Sequence, residues 1–241
     1  MISIGLISTA EINYRALIIP VRKRFDCQIM AVASRSYQKA ISYAKAHQIR
    51  KAYGNYEALL SDPDIDAVYI SVPNNLHEFW LERSLNAGKH VLCEKPSFIT
   101  SGKANFLKEL ALQKNLLLME AMHYKYHPAL KDFFDLLDKK KLGELRFVKA
   151  LLHYYTPTKE NDIRFNTVLK GGSLMHLGCY CLDAITTIID KPLFFDNLSS
   201  IQQPRLADLS CWGRLSSNDK KTSAEFICDF KRNHLHSEIY V

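Results

Sequence analysis

The sequence predicts an α/β protein: a doubly wound parallel sheet, followed by an α+β domain whose sheet is open and mainly antiparallel. Three observations predict it. Short β-branched apolar runs alternate with amphipathic segments through the first half, and that alternation stops near residue 145. Beyond it, strand-like runs succeed one another with little helical pattern between them. The length of 241 residues, with 47% hydrophobic and 24% charged residues, supports a sizeable core and two domains, set at 1–122 and 123–241.

In chain order, ISIGLIS from Ile2, QIMAVAS from Gln28, DAVYISV from Asp66, HVLCE from His90 and NLLLMEA from Asn115 read as parallel strands. Near-continuous apolar runs of this length suit strands covered on both faces. Tyr37 to His47 and Leu76 to Asn86 read as crossover helices, the second stopped by Ala87-Gly88. In the second half a helix from Pro128 to Leu137 leads into ELRFVKALLHYY, and a helix opens after Gly171-Gly172. The strand candidates LFFDNLSSI, ADLSCWGRL, SAEFICDF and HSEIYV then follow, with no helical period between them.

Composition excludes several classes. No apolar stretch approaches the roughly 20 residues of a membrane span, and MISIGLISTAEINYR has no basic leader or small-residue cleavage site. A soluble cytoplasmic protein with no membrane partner is the expectation. The net charge of +7 is scattered, and its densest clusters, Arg22-Lys23-Arg24 and Lys139-Lys140-Lys141, fall near expected helix ends, as a solvated surface would have them. No zinc-finger spacing or aromatic-basic motif accompanies them, so no nucleic-acid partner is expected. Six cysteines without Cys-x-x-Cys spacing read as reduced core residues.

In doubly wound sheets a ligand lies beyond the carboxyl ends of the strands, and a dinucleotide's pyrophosphate rests on the first helix N-terminus. The first strand-to-helix turn reads Ser8-Thr9-Ala10-Glu11-Ile12-Asn13, with Ser8, Ala10 and Asn13 where the Rossmann-type fingerprint places glycine. Small residues at Thr9 and Ala10 let backbone amides approach a phosphate, and the hydroxyls of Ser8 and Thr9 add donors. A plain small-residue turn accounts for the segment equally well. After the second strand, Ser34-Arg35 replaces the carboxylate that would hold a ribose 2′-hydroxyl. An arginine there pairs with a 2′-phosphate, which favours NADP over NAD, while an exposed arginine opening a helix is the alternative.

The segment VYISVPNNLHEFWLERSLNAGKHVLCEKP, Val68 to Pro96, with Glu94-Lys95-Pro96 after a buried strand, resembles the glucose-fructose oxidoreductase, inositol dehydrogenase and rhizopine-catabolism (Gfo/Idh/MocA) family. The resemblance continues through MEAMHYKYHP, Asp162-Ile163-Arg164 and GGSLMHLGCYCLD, in family order. It is similar above all to the dimeric dihydrodiol dehydrogenases and NADP-dependent D-xylose dehydrogenases. The resemblance implies a cofactor site of Ser8, Thr9, Ala10, Ile12, Ser34, Arg35, Pro73, Asn74, His77, Glu94, Lys95 and Arg164. It implies Lys95 as the cation that stabilises a developing alkoxide, and Tyr180 as acid/base, its phenolate favoured by Lys95. Buried packing is the other reading of Tyr180.

Helical spacing puts His176, Tyr180 and Asp183 on one face, with His176 where the family normally carries aspartate. A metal held by His176 with His123 or His153 lacks the spacing it would need, so no metal is expected. Arg164 and Lys125 either bring charge to the pocket or form surface ion pairs. Two functions follow: an NADP-dependent dehydrogenase acting on a sugar, polyol or vicinal diol, or a non-catalytic relative serving as a nucleotide- or sugar-binding regulator. Family members run beyond Val241, and Ser237 to Val241 reads as mid-strand. A second sheet incomplete at its C-terminal end is therefore expected, with a homodimer formed through that sheet where it is intact. A shortened member, a frameshift product and an incomplete sequence fit this equally.

Overall fold

The computed structural model describes residues 1–138, 143–157 and 162–241. The Lys139-Lys140-Lys141 cluster lies outside the described residues. The chain divides into two compact units, Met1–Ala121 and Met122–Val241.

The first unit holds a six-stranded parallel sheet of β1 (Ile2–Ile7), β2 (Cys27–Ala33), β3 (Lys51–Tyr53), β4 (Ala67–Ile70), β5 (His90–Cys93) and β6 (Leu118–Glu120), in the order β3-β2-β1-β4-β5-β6. The order reverses between β1 and β4, and such a switch point opens a crevice at the strands' carboxyl ends. The crossovers are α1 (Ile19–Val21), α2 (Tyr37–His47), α3 (Tyr56–Leu60), α4 (His77–Asn86) and α5 (Ser101–Gln113). Ser36, Asn55 and Thr100 cap α2, α3 and α5 by accepting a backbone N–H three residues on. Apolar side chains cover both faces of the sheet: Ile7, Ile70, Leu81 and Leu85 belong to one core, and Leu6, Ile18, Val32 and Tyr69 to the other. The helix after β1 departs from the expected regular winding, because Tyr14–Ile18 forms a π-turn before α1.

The second unit contains α6 (Pro128–Asp138), β7 (Phe147–His153), α7 (Cys179–Ile189), β8 (Leu193–Gln202), β9 (Asp208–Ser217), β10 (Ser223–Asp229) and β11 (His236–Tyr240). Its sheet runs β11-β7-β10-β9-β8. Three of the pairings are antiparallel, but β10 pairs with β7 in parallel, so the sheet is mixed where the strand run suggested uninterrupted antiparallel neighbours. The helix and strands between β7 and β10 make a crossover that a tight hairpin could not. The inward residues Val148, Phe226, Cys211 and Leu215 share a core with Cys181 and Ile185 of α7. Cys93, Cys181, Cys211 and Cys228 are buried as thiols.

The chain enters the α7 segment through Gly172, at φ +115°. The Asp208 carboxylate accepts from Ser173 Oγ (2.6 Å) and Leu174 N (2.8 Å), a cap supplied by a strand distant in sequence. A Cβ on Gly172 would lie 2.0 Å from Asp208 Oδ1. Gly172→Ala is therefore expected to lower the unfolding free energy by at least about 1–3 kcal/mol, read as a shift of the urea midpoint. An unchanged midpoint would refute this reading of the turn.

Candidate active site

The carboxyl edge of the parallel sheet collects four turns. They are Ser8 to Ile12 after β1, Ser34-Arg35 after β2, Val72 to Asn74 after β4, and Glu94-Lys95-Pro96 after β5. The first has no glycine, yet Ser8 sits at φ +127°, a conformation for which glycine is ordinarily required. A ring of hydrogen bonds holds it. The Ala10 amide donates to Ser8 Oγ (3.1 Å), and Ser8 Oγ lies 2.7 Å from Ser71 Oγ. Ser71 Oγ donates to Asn13 Oδ1 (2.5 Å), and Asn13 Nδ2 returns a proton to the Ser8 carbonyl (2.9 Å). Because Ser71 gives its proton to Asn13, Ser8 is the donor between the two hydroxyls.

Ser8, Asn13 and Ser71 are buried, while Thr9 and Ala10 are half-buried and Glu11 and Ile12 are exposed. The turn therefore faces outward with its polar side chains folded beneath it. A shallow depression of about 300 Å3 adjoins it, lined by Thr9, Gln38, Lys39, Ser42 and Tyr43. A larger one, about 340 Å3, opens at the strands' amino ends among Met1, Phe25 and Ile49, away from all four turns. After β2, Ser34 is buried and accepts from Ser36 N (3.3 Å), and Arg35 is exposed. No carboxylate among the described residues lies within ion-pair distance of Arg35.

The turn after β5 is fastened from several sides. Tyr69 hydroxyl donates to Glu94, whose second carboxylate oxygen accepts from Lys95 N (3.3 Å). Ser97 N donates to Glu120 (2.7 Å), and the Lys95-Pro96 peptide is cis. His77 is buried with one ring nitrogen 2.8 Å from the Pro96 carbonyl and the other 2.7 Å from the Val72 carbonyl. Burial pulls its pKa below the ordinary imidazole value against the pull of the two carbonyls. His77 thus ties the turns after β4 and β5 together. Pro73 is half-buried and Asn74 buried, and the neighbouring Asn75 has a buried amide oxygen with no partner among the described residues.

In the second unit, Leu174–Gly178 is wound as a π-turn ahead of α7, so regular α-helical spacing does not hold between His176 and Tyr180. His176 packs against Phe230 (6.3 Å between ring centres). Tyr180 meets the rings of His123 (5.8 Å) and Tyr124 (5.9 Å) edge-on. Asp183 accepts from Tyr124 hydroxyl (2.5 Å) and pairs with Lys125 Nζ (2.8 Å). Burial, then the bond to Asp183, pushes the Tyr124 phenol well above its usual value. Lys125 and Arg164 both resolve as ion pairs. Arg164 grips Asp162 through Nε (2.9 Å) and Nη2 (2.5 Å) and donates from Nη1 to Thr156 Oγ1 (3.2 Å). Its charge is balanced locally by Asp162. Among the described residues no three His, Cys, Asp or Glu side chains stand ready to hold an ion.

A doubly wound sheet whose strand order reverses between β1 and β4, with four strand-to-helix turns gathered at its carboxyl edge, is the architecture of a nucleotide-binding domain. Residues 2–122 match the oxidoreductase family with an NAD-binding Rossmann fold, Gfo/Idh/MocA, and residues 132–198 match a C-terminal domain of the same family. The chain belongs to this family. It is 35% identical over 191 residues to trans-1,2-dihydrobenzene-1,2-diol dehydrogenase of Xenopus laevis, covering 78% of this chain and 57% of that protein. It is also 35% identical over 188 residues to D-xylose 1-dehydrogenase (NADP(+)) 2 of Haloferax volcanii, with the same coverages. Among solved structures, a variant 3-ketoreductase from Actinomadura kijaniata in complex with TDP-benzene and NADP superposes with a TM-score of 0.88 at 29% identity. That superposition covers 96% of this chain and 70% of the other. The chain thus spans little more than half the length of the curated relatives it matches.

The sequence reading found the turns but missed Ser71 and Tyr69, because each acts from a neighbouring strand rather than from the motif. The Asp162–Arg164 pair yields a pH test. The hydrogen bond from Arg164 holds the Asp162 carboxyl below its ordinary value near 3.8. A carboxyl that binds its proton more weakly when folded adds stability above the unfolded pKa and loses it as pH falls through the lowered folded value. The stability difference between wild type and Asp162→Asn should therefore be full at pH 6 and shrink below pH ~4. A difference independent of pH in urea unfolding would contradict the assignment.

Proposed function

We propose that this chain carries the nucleotide-binding unit and the adjoining α+β domain of an NADP-dependent oxidoreductase. In this reading it moves hydride between a nicotinamide cofactor and a sugar, polyol or vicinal diol. The observation that carries it is the glycine-free corner. Ser8 takes the backbone conformation of a fingerprint glycine and its side chain is turned inward, so the turn keeps an outward face for a pyrophosphate. The residues fit the group. Because the Ala10 amide is engaged by Ser8, the neighbouring backbone at Thr9 and Glu11 is assigned to the phosphates, with the Thr9 hydroxyl. Arg35 and Ser34 would hold the 2′-phosphate, and the partnerless Asn75 oxygen offers an acceptor on the same edge. The diol, xylose and sugar-ketone chemistry in the names of the relatives supports the substrate class.

When bound, the nicotinamide supplies the site that accepts or gives hydride. Lys95, on a turn held by Glu94 and His77, stabilises negative charge on the substrate oxygen as the hydroxyl proton leaves. Tyr180 takes or returns that proton. His176 is a titratable group at the position where the family resemblance implies an aspartate. Residues 1–122 are assigned to the cofactor and 123–241 to substrate and dimerisation. Exposed Phe194, Ile201 and Trp212 on the second sheet supply apolar surface for a homodimer. The substitution at His176 favours a second reading, a non-catalytic relative that keeps the nucleotide site.

Fluorescence titration with NADPH and NADH separates the readings from a wrong assignment: NADPH binds more tightly, and Arg35→Asp erodes that preference by about tenfold or more. Binding of neither coenzyme would overturn both. Lys95→Met should cut kcat on a responsive aldose or diol by about 10²–10⁴-fold with an unchanged circular dichroism spectrum. Coenzyme binding without turnover of any aldose or diol would select the non-catalytic reading.

A further inference from the structure

The corner after β1 departs from the glycine fingerprint at Ser8, Ala10 and Asn13, and two of these side chains are buried against a residue outside the motif. Asn13 is fully buried, and Ser8 and Ser71 are each 8% exposed. Ser71 follows β4 and lies 63 residues beyond Ser8 in the chain. The Ser8 hydroxyl is shared between Ser71 Oγ (2.7 Å) and the Ser71 carbonyl (3.1 Å). Asn13 bridges the pair: its amide nitrogen donates to the Ser8 carbonyl (2.9 Å), and its oxygen accepts from Ser71 Oγ (2.5 Å).

These contacts do for Ser8 what the missing side chain does for glycine. At φ +127° a Cβ is disfavoured, and a serine released from its restraints would return to negative φ. That rotation would redirect the chain that follows, so the Thr9 and Glu11 amides would no longer converge on one phosphate. Asn13 and Ser71 lie beneath the turn, so they act through its backbone rather than by touching a ligand. The turn is braced from the side as well, where the Tyr43 hydroxyl of α2 donates to the Ala10 carbonyl (3.5 Å).

Resting on the coenzyme reading of this corner, we infer that Ser71 and Asn13 are positioning residues for the pyrophosphate of a pyridine dinucleotide, acting through Ser8. In the glycine fingerprint the turn's conformation is intrinsic to the residue. Here it is conferred on a serine by two side chains, one of them from another strand's end. The need for Ser71 is therefore conditional: it lapses once position 8 is glycine, which holds a positive φ unaided. A network that served only stability would leave the coenzyme affinity of the folded chain the same when Ser71 is changed.

The test follows NADPH binding to the 241-residue chain by fluorescence, with the folded fraction checked by urea unfolding. Ser8→Ala and Ser8→Gly both delete the hydroxyl, but only alanine keeps a Cβ at the strained position. Ser8→Gly should therefore bind NADPH at least about fivefold more tightly than Ser8→Ala. Ser71→Ala should weaken binding at least about fivefold, and adding Ser8→Gly to it should recover most of the loss. The control ligand is 2′-AMP, whose phosphate belongs at Arg35; its binding, followed by NMR line broadening, should be alike in every variant. Equal NADPH affinity in the two Ser8 variants, a loss in Ser71→Ala that glycine does not recover, or a parallel loss of 2′-AMP would overturn the inference. Should Ser71→Ala not fold, the two Ser8 variants decide it by themselves. Absence of NADPH binding by the unaltered chain would overturn the oxidoreductase reading and this inference with it, whereas NADPH binding indifferent to the substitutions would overturn the inference alone.

Discussion

The closed ring of hydrogen bonds through Ser8, Ser71 and Asn13 is the constraint on which the first unit's site depends. A non-glycine residue at φ +127° carries roughly 1–3 kcal/mol of backbone strain, and persists only where its surroundings hold it. Four hydrogen bonds at about 1 kcal/mol each are enough to offset that cost. The ring also joins β1 to the turn after β4, the two strands between which the sheet order reverses. One small polar network thus shapes the corner and locks the switch point where the crevice opens.

The same network has a chemical consequence. The Ala10 N–H is committed to Ser8 Oγ. A pyrophosphate would meet a different set of donors. Arg35 stands exposed at this edge with no carboxylate within ion-pair distance among the described residues. The cofactor preference argued from the second strand therefore rests on a charge that the protein has not already neutralised.

Much of the fold was legible because apolar runs and caps report local geometry. Tyr37 to His47 is helical over the predicted span, and all ten strand-like runs, ELRFVKALLHYY among them, appear as strands. The short β3 and α3 escaped because three and five residues carry too little periodicity to read. The π-turns at Tyr14–Ile18 and Leu174–Gly178 escaped for another reason. A shift from four-residue to five-residue hydrogen bonding leaves no signature in residue type, yet it changes which side chains align. The spacing argument for His176 and Tyr180 fails there.

By itself the sequence determined the two-part architecture, the strand-to-helix turns that carry Ser8, Arg35 and Lys95, and the family to which the chain belongs. These rest on hydrophobic period and contiguous motifs, both local in the chain. Only the tertiary structure decided what long-range partners do. It showed that His77 braces two turns, that Asn13 and Ser71 hold Ser8 in a glycine-like conformation, and that Arg164 pairs with Asp162. It also brought His153 opposite His236, some eighty residues on, because strand register is fixed by pairing across the sheet and not by neighbours along the chain.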